Sequence, residues 1–428
     1  MDFKQQGDAS KWWNRRLKGG GRTAFALFIA VFALIFGEKT LFADDLEEYD
    51  AKSLQAVLNV PIVPLKDEYS TLRVLFHLRK PVRFTAFLMA QEEGFYAAEG
   101  LPPIEFVWLD NSSNVNVSPR NDDVQFMTNR LARVYRLACL GNPAVSIDQI
   151  STRSALGVLY RKELFPDVTK LEHLQHLKLG TFYRVLEEPL VTCVKAKLPK
   201  DIVYFCDDGQ ILLRTGAIDG LYCSEIDLPK LMEYTKWRDD FGFLPLAGTE
   251  SDLPGQSMNC RLDFAAKFPD LCEKFARASY RGLQAAMQNP ARAREVLKKY
   301  YDQLKLVYDE VIITEQLKIC VPLTDPKERL EDNGDFSREQ FETMKSHLID
   351  AGLISEETAV SYDDFIFPIL KPGTKERLQA AWEREKAKIE GKTAETNAPA
   401  SDANDNANDN ANDNANDETN ADAAESAP

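Results

Sequence analysis

Apolar residues are distributed along this chain in three regimes. Thr23 to Gly37 forms an uncharged run of 15 residues. That is shorter than the ~20 residues a membrane-spanning helix needs, but it suits the apolar core of an export signal behind a basic segment. From about residue 70 the pattern becomes that of strands alternating with short helices. Leu72–Leu78 and Ile104–Leu109 read as strands, and Thr85–Ala98 reads as a helix with Phe87, Leu88, Ala90, Phe95 and Tyr96 on one side. Further strands are expected at Ala144–Ile150, Leu156–Tyr160, Lys178–Phe182, Ile202–Phe205 and Ile218–Cys223, with helices at Glu187–Lys197 and Gly209–Thr215. This alternation predicts an α/β protein with mainly parallel sheets covered by crossover helices. From Asp263 onward the period is helical: Asp263 is expected to cap one helix, Asn289-Pro290 to open the next, and Ser337–Ala351 to form another that stops at Gly352.

Charge sharpens the two ends. The chain of 428 residues carries a formal net charge of −15, and no Lys/Arg stripe interleaved with aromatics runs through it, so nucleic acid is excluded as a partner. Residues 1–22 hold six Lys/Arg against Asp2 and Asp8, which is the basic segment an export signal requires. Leu41 stands where a small residue is expected before a cut after Ala43. Cleavage and retention of residues 23–37 as a membrane anchor therefore both stay open. The four-residue Asn/Asp/Ala repeat that begins at Ala403 has eight acids and no base over residues 401–428. Such a tail buries too little area to offset its ordering entropy, and disorder is expected over 395–428. A charged helix is expected over 373–394.

The segment from Arg73 to Leu109 contains Ala86-x-x-x-Ala90-x-x-x-Gly94-Phe95-Tyr96-x-x-x-Gly100-Leu101 between two strands. Val124-Gln125-Phe126, Gly141-Asn142-Pro143-Ala144-Val145, Thr152 to Lys162, Gly216 to Glu225, and Phe268-Pro269-Asp270-Leu271 through Asn289-Pro290 follow in order. With these elements the chain resembles the NMT1/THI5-like and SsuA-type solute-binding proteins over residues ~70–370. The resemblance implies a type II periplasmic-binding fold of two α/β lobes joined by hinge strands, with C-terminal helices. It divides the chain into lobe I (70–152), lobe II (153–246) and a return to lobe I with the C-terminal helices (247–372).

It also implies capture of a small molecule between the lobes, in the periplasm, for an ABC importer whose permease lies in the inner membrane. The ligand would be an anion such as a sulfonate or nitrate, or a thiamin-precursor-like pyrimidine. Loops at the carboxyl ends of parallel strands feed helix N-termini and offer N–H groups to an anion. The ligand contacts expected on those loops are Arg79, Lys80, Arg83, Phe84 and Thr85 after strand one, and Ser112 and Ser113 after strand two. Thr152, Arg153 and Ser154 follow at the crossover, then Thr181, Tyr183 and Arg184 in lobe II. Glu225 matches the acid of the family's Trp-Glu-Pro element, with Ser224 in place of the Trp.

Neither a metal site nor a cofactor is expected. His173-x-x-His176 is interleaved with Leu171, Leu174 and Leu177, the pattern of a solvated linker helix with one apolar side. The seven cysteines show neither zinc nor haem spacing and read as buried small hydrophobes, with one or two disulfides left open. Two other functions compete. One branch of the same fold is a pyrimidine synthase that depends on a Cys-rich iron-binding motif, which only Tyr204-Phe205-Cys206 remotely resembles; a non-enzyme is therefore expected. A membrane-anchored ligand sensor would need its output in another chain.

Overall fold

A computed structural model describes residues 54–109, 119–151, 153–181, 186–206, 209–233, 240–324 and 337–396. The expected export signal and cleavage site, and residues 397–428 of the acidic repeat tail, lie outside them. The chain divides into two units, residues 1–382 and 383–428. Among the described residues, no helix is long and apolar enough to cross a membrane.

The first unit contains two five-stranded sheets. Strands β1 (Leu72–Phe76), β2 (Ile104–Trp108), β3 (Phe126–Arg130), β4 (Ala144–Gln149) and β10 (Gln256–Arg261) form one sheet in the order β2-β1-β3-β10-β4. Strands β5 (Leu156–Arg161), β6 (Leu179–Thr181), β7 (Val203–Phe205), β8 (Gly220–Ser224) and β9 (Phe241–Pro245) form the other in the order β7-β6-β8-β5-β9. The two orders are the same when each lobe is counted by its own parallel strands: second, first, third, then a strand arriving from or leaving for the other lobe, then an edge.

In each sheet the first three of these strands are parallel, and the crossing strand runs antiparallel to both its neighbours. The sheets are therefore mixed rather than mainly parallel. The source of the difference is the crossing strands β5 and β10; β9 and β10 also escape a hydrophobic-pattern reading. β9 contains Gly242 and Pro245. β10 is buried on both faces, yet its Ser257 and Asn259 satisfy each other across a 2.9 Å hydrogen bond, so a central strand looks polar.

Helices among the described residues include α1 (Thr85–Glu92), α2 (Phe95–Ala98), α3 (Leu131–Cys139), α4 (Glu187–Lys195), α5 (Gly209–Thr215), α6 (Leu228–Glu233), α7 (Leu262–Lys267), α8 (Pro269–Gln288), α9 (Pro290–Gln303), α10 (Glu310–Cys320), α11 (Arg338–Asp350), α12 (Tyr362–Phe365) and α13 (Thr374–Thr396). The helix expected over 85–98 is broken because Gly94 adopts φ +72°, a left-handed conformation that ends α1 and re-aims α2. Asn289 caps α9 by accepting from the Arg292 N–H, and Pro290 fills its first position. Asp263 does not cap: α7 begins one residue before it, and its carboxylate instead grips Arg261 and accepts from the Phe264 N–H.

One apolar core unites the first sheet with α1, α8, α9 and α10, centred on stacked Phe126 and Phe275 at 4.2 Å and Phe76 and Phe84 at 4.2 Å. A second runs from β1, β3 and α3 of the first sheet through β5, β6 and α4 of the second to Phe341, Met344 and Leu348 of α11. All seven cysteines are buried, and none is in a disulfide.

Two segments carry the chain between lobes, 150–155 and 246–255. They touch: the Gln256 N–H donates to Ser151 Oγ at 2.7 Å and the Ile150 N–H to the Gln256 carbonyl at 2.8 Å. Gly255 is fixed by this approach, since a Cβ there would lie 2.2 Å from Ser151 Oγ and 2.5 Å from its carbonyl oxygen. Gly255→Ala is expected to destabilise the protein by about 2 kcal/mol, the usual scale for overpacking, read as a fall in the urea midpoint. An unchanged midpoint would show that the crossing yields freely.

Candidate functional site

In both sheets the carboxyl ends of the parallel strands point toward the other lobe, so the loops that follow them define a cleft. After β1 the chain turns through His77 and Arg79 to a short helical turn, Pro81–Phe84, opened by Pro81. Its cations reach the opposite lobe. Lys80 Nζ and Arg83 Nη2 each lie 2.8 Å from Asp227 Oδ2, on the turn that follows β8. Burial alone would raise the Asp227 carboxyl, but Arg83 and Lys80 outweigh it and hold the group down at about 2. Two residues earlier, Glu225 Oε1 lies 2.7 Å from Arg153 Nη1 on the crossing segment.

A second ionic cluster lies where the end of β3 and α3 face the first turn of α4. Arg130 Nη1 donates to Glu188 Oε2 at 2.7 Å, and Arg133 Nη1 to Glu187 Oε1 at 3.0 Å, with Arg136 Nη1 at 3.6 Å from the same oxygen. Glu187 and Glu188 are each 1% exposed. They form the first turn of α4, where the helix dipole favours negative charge. Burial presses Glu187 upward, yet Arg133, Arg130 and Arg136 together bring its carboxyl to about 2. Burial pushes Glu188 above the ordinary carboxylate value despite Arg130.

The structure spreads the expected contacts over several environments. Arg83, Arg153 and Glu225 stand in the cleft, each engaged with a charge from this chain. Arg79 donates to the Leu304 carbonyl through Nη2. Phe84 is fully buried against Phe76 and Trp108, and Thr85 is buried with its hydroxyl donating to the Val82 carbonyl. Ser154 Oγ accepts from the Leu156 N–H at the start of β5. Thr181 is buried at the end of β6. Ser112, Ser113, Thr152, Tyr183 and Arg184 lie outside the described residues.

The sequence reading passed over Asp227, Glu187, Glu188 and the three arginines of the second cluster. Arg130, Arg133 and Arg136 recur every third position, which places them along one face, and that spacing was the available signal. The acids carried none, because acidic residues in a first helical turn are ordinary. His173 and His176 are exposed on a turn whose Leu171 and Leu174 are buried.

Two lobes of the same strand order, joined by two touching crossovers and facing each other through charged strand ends, define a type II periplasmic-binding fold. Solved structures agree. The periplasmic nitrate-binding protein NrtA from Synechocystis PCC 6803 aligns with a TM-score of 0.53 at 13% identity, covering 75% of this chain and 89% of its own. The ligand-binding component of an ABC-type import system from Staphylococcus aureus, with zinc bound, gives 0.52 at 10%, over 71% of this chain and 99% of its own. A protein from Bordetella bronchiseptica RB50 gives 0.54 at 13%, over 74% and 98%. At these identities the likeness is one of fold. No protein of curated function matches in sequence. Residues 82–293 match the model of the NMT1/THI5 like family.

Proposed function

We propose that the protein is an exported binding protein that captures a small solute between its lobes and hands it to an ABC importer, with no catalytic step. The observation that carries this reading is the meeting of lobe I cations with lobe II carboxylates at the strand ends, astride two crossing segments. Closure of such lobes encloses a ligand from both sides. The solute is a small organic or inorganic anion, such as a sulfonate or nitrate, or a polar pyrimidine.

Two buried atoms support a ligand that both accepts and donates: Arg83 Nε has no hydrogen-bond acceptor, and Glu225 Oε1 accepts no hydrogen bond despite its ion pair. Expected contacts are Arg83, Arg153 and Glu225, joined by Ser112, Ser113, Thr152, Tyr183 and Arg184 from the adjoining loops.

The test is a thermal-shift and calorimetric screen of nitrate, alkanesulfonates and aminopyrimidines on protein shown to be folded and ligand-free. A true ligand at a hundredfold over Kd stabilises by about 2.7 kcal/mol. Arg83→Ala and Arg153→Ala are each expected to weaken its binding roughly tenfold or more, the scale of a lost charge-assisted hydrogen bond. No shift with any of these solutes at millimolar concentration would remove the reading.

A further inference from the structure

The second ionic cluster sets carboxylates of one lobe against cations of the other. Glu187 and Glu188 lie at the amino end of the nine-residue helix α4, with guanidinium groups of the opposite lobe converging on them. Three cations from β3 and α3 therefore have their counter-charge supplied by the protein. The contact is nearly dry: both acids are 1% exposed, and Arg130, Arg133 and Arg136 side chains are 11%, 18% and 10% exposed. Charges reach that degree of burial only when they are paired.

Two helices reinforce the same closure. On one flank, α11 reaches both lobes. Asp350 at its end lies 2.6 Å from Lys195 of α4, while Phe341 and Met344 pack in the core that joins the sheets. Just beyond α11, the Leu353 carbonyl accepts from Arg136 Nε. On the other flank, Gln316 of α10 donates to the Ile226 carbonyl at 2.9 Å, and Cys320 of the same helix meets the Val82 carbonyl.

We propose that the lobes of this protein close on themselves, with Glu187 and Glu188 acting as a tethered substitute for an anionic ligand at the α4 end of the cleft. The latch is internal and works with the site empty. A solute must then bind either beside it, at the Arg83 and Arg153 side, or in exchange for it. An internal carboxylate has a high effective concentration at its own position, so exchange is the harder route. A protein whose competent state is only fractionally populated binds its ligand correspondingly less tightly.

The experiment measures the distance between lobes in the full chain without solute, by pulsed electron spin resonance between labels on Gln288→Cys of α8 and Gln210→Cys of α5. Both positions are exposed, and the native cysteines are all buried. The wild-type background is expected to give one narrow distance. Glu187→Ala combined with Glu188→Ala is expected to add a longer, broader population, and 100 mM acetate is expected to return that population to the narrow distance by refilling the vacated position.

A broad distance in the wild type, or a double variant that keeps the wild-type distance, overturns the proposal. So does a double variant that opens but does not respond to acetate. Should the double variant not melt cooperatively, Arg130→Gln combined with Arg133→Gln serves: it leaves both acids in place while removing their closest cationic partners, and a wild-type distance in it overturns the latch equally. All of these readings are made without solute, so failure of the solute screen leaves the latch standing, and the converse holds too.

Discussion

Gly282→Ala is expected to destabilise the protein by about 3 kcal/mol, although on local grounds it should help. Gly282 lies inside the 20-residue helix α8, where alanine is favoured over glycine by ~1 kcal/mol. Packing opposes that preference. A Cβ at this position would lie 2.0 Å from the Ala86 carbonyl oxygen, 2.6 Å from the Ala90 nitrogen and 2.8 Å from the Ala90 Cβ of α1. Two of these are backbone atoms, which move only with their helix. Inserting a methyl must push α1 away from α8 and loosen the stacked Phe126 and Phe275 beneath it, and overpacking of this kind costs ~1–3 kcal/mol or more. The steric cost exceeds the propensity gain, so the net sign is negative. Equilibrium urea unfolding reads it as a lower midpoint with an unchanged slope. A variant as stable as the parent would mean that α1 and α8 are not in backbone contact.

That contact explains why part of the fold could be read from the sequence. The spacing Ala86-x-x-x-Ala90-x-x-x-Gly94 was legible because close helix packing demands small residues at every fourth position, and Gly94 then supplies the left-handed turn that ends α1. Parallel strands such as β1 and β8 were legible because both faces are apolar. β10 was not, because its polar residues are satisfied within the sheet, and burial with full hydrogen bonding leaves no trace in hydrophobicity.

The cleft was half legible for a related reason. Arg83 and Arg153 were recognisable as cations ahead of helix or strand starts, but whether a cation is spent on a ligand or on a neighbour depends on which residues face it. Asp227 is 144 positions from Arg83, and Glu187 is 54 from Arg133. No local window contains either pair. Exposed pairs such as Arg73 with Glu105 were equally invisible, yet contribute little.

Acid is expected to unfold this protein between about pH 4.5 and pH 2, and the interlobe carboxylates set that window. Glu187 is depressed from 4.5 to about 2, and Asp227 from 3.8 to about 2. A carboxyl with a folded value below its unfolded one stabilises the fold while both states are ionised. The unfolded chain takes up protons first as the pH falls, and the contribution is gone once the folded group is protonated too. Both groups therefore stabilise the fold near neutrality and lose that contribution through the window above.

Glu188 works against them. Its raised value means that protonation relieves a buried charge, so it offsets part of the loss as the pH falls. His347 adds to the loss earlier. Burial, with Lys195 nearby, lowers its imidazole below 6.5, so the unfolded state protonates first and stability begins to decline below about pH 6.5. Thermal midpoints measured from pH 7 to pH 3 should therefore fall shallowly at first and steeply below pH 4.5. Asp227→Asn should start from a lower midpoint at pH 7, because Lys80 and Arg83 lose their counter-charge, and should show a shallower acid limb. Parallel curves for Asp227→Asn and the parent would show that Asp227 is solvated and the lobes are not held together there; divergent curves would place the acid sensitivity in the cleft.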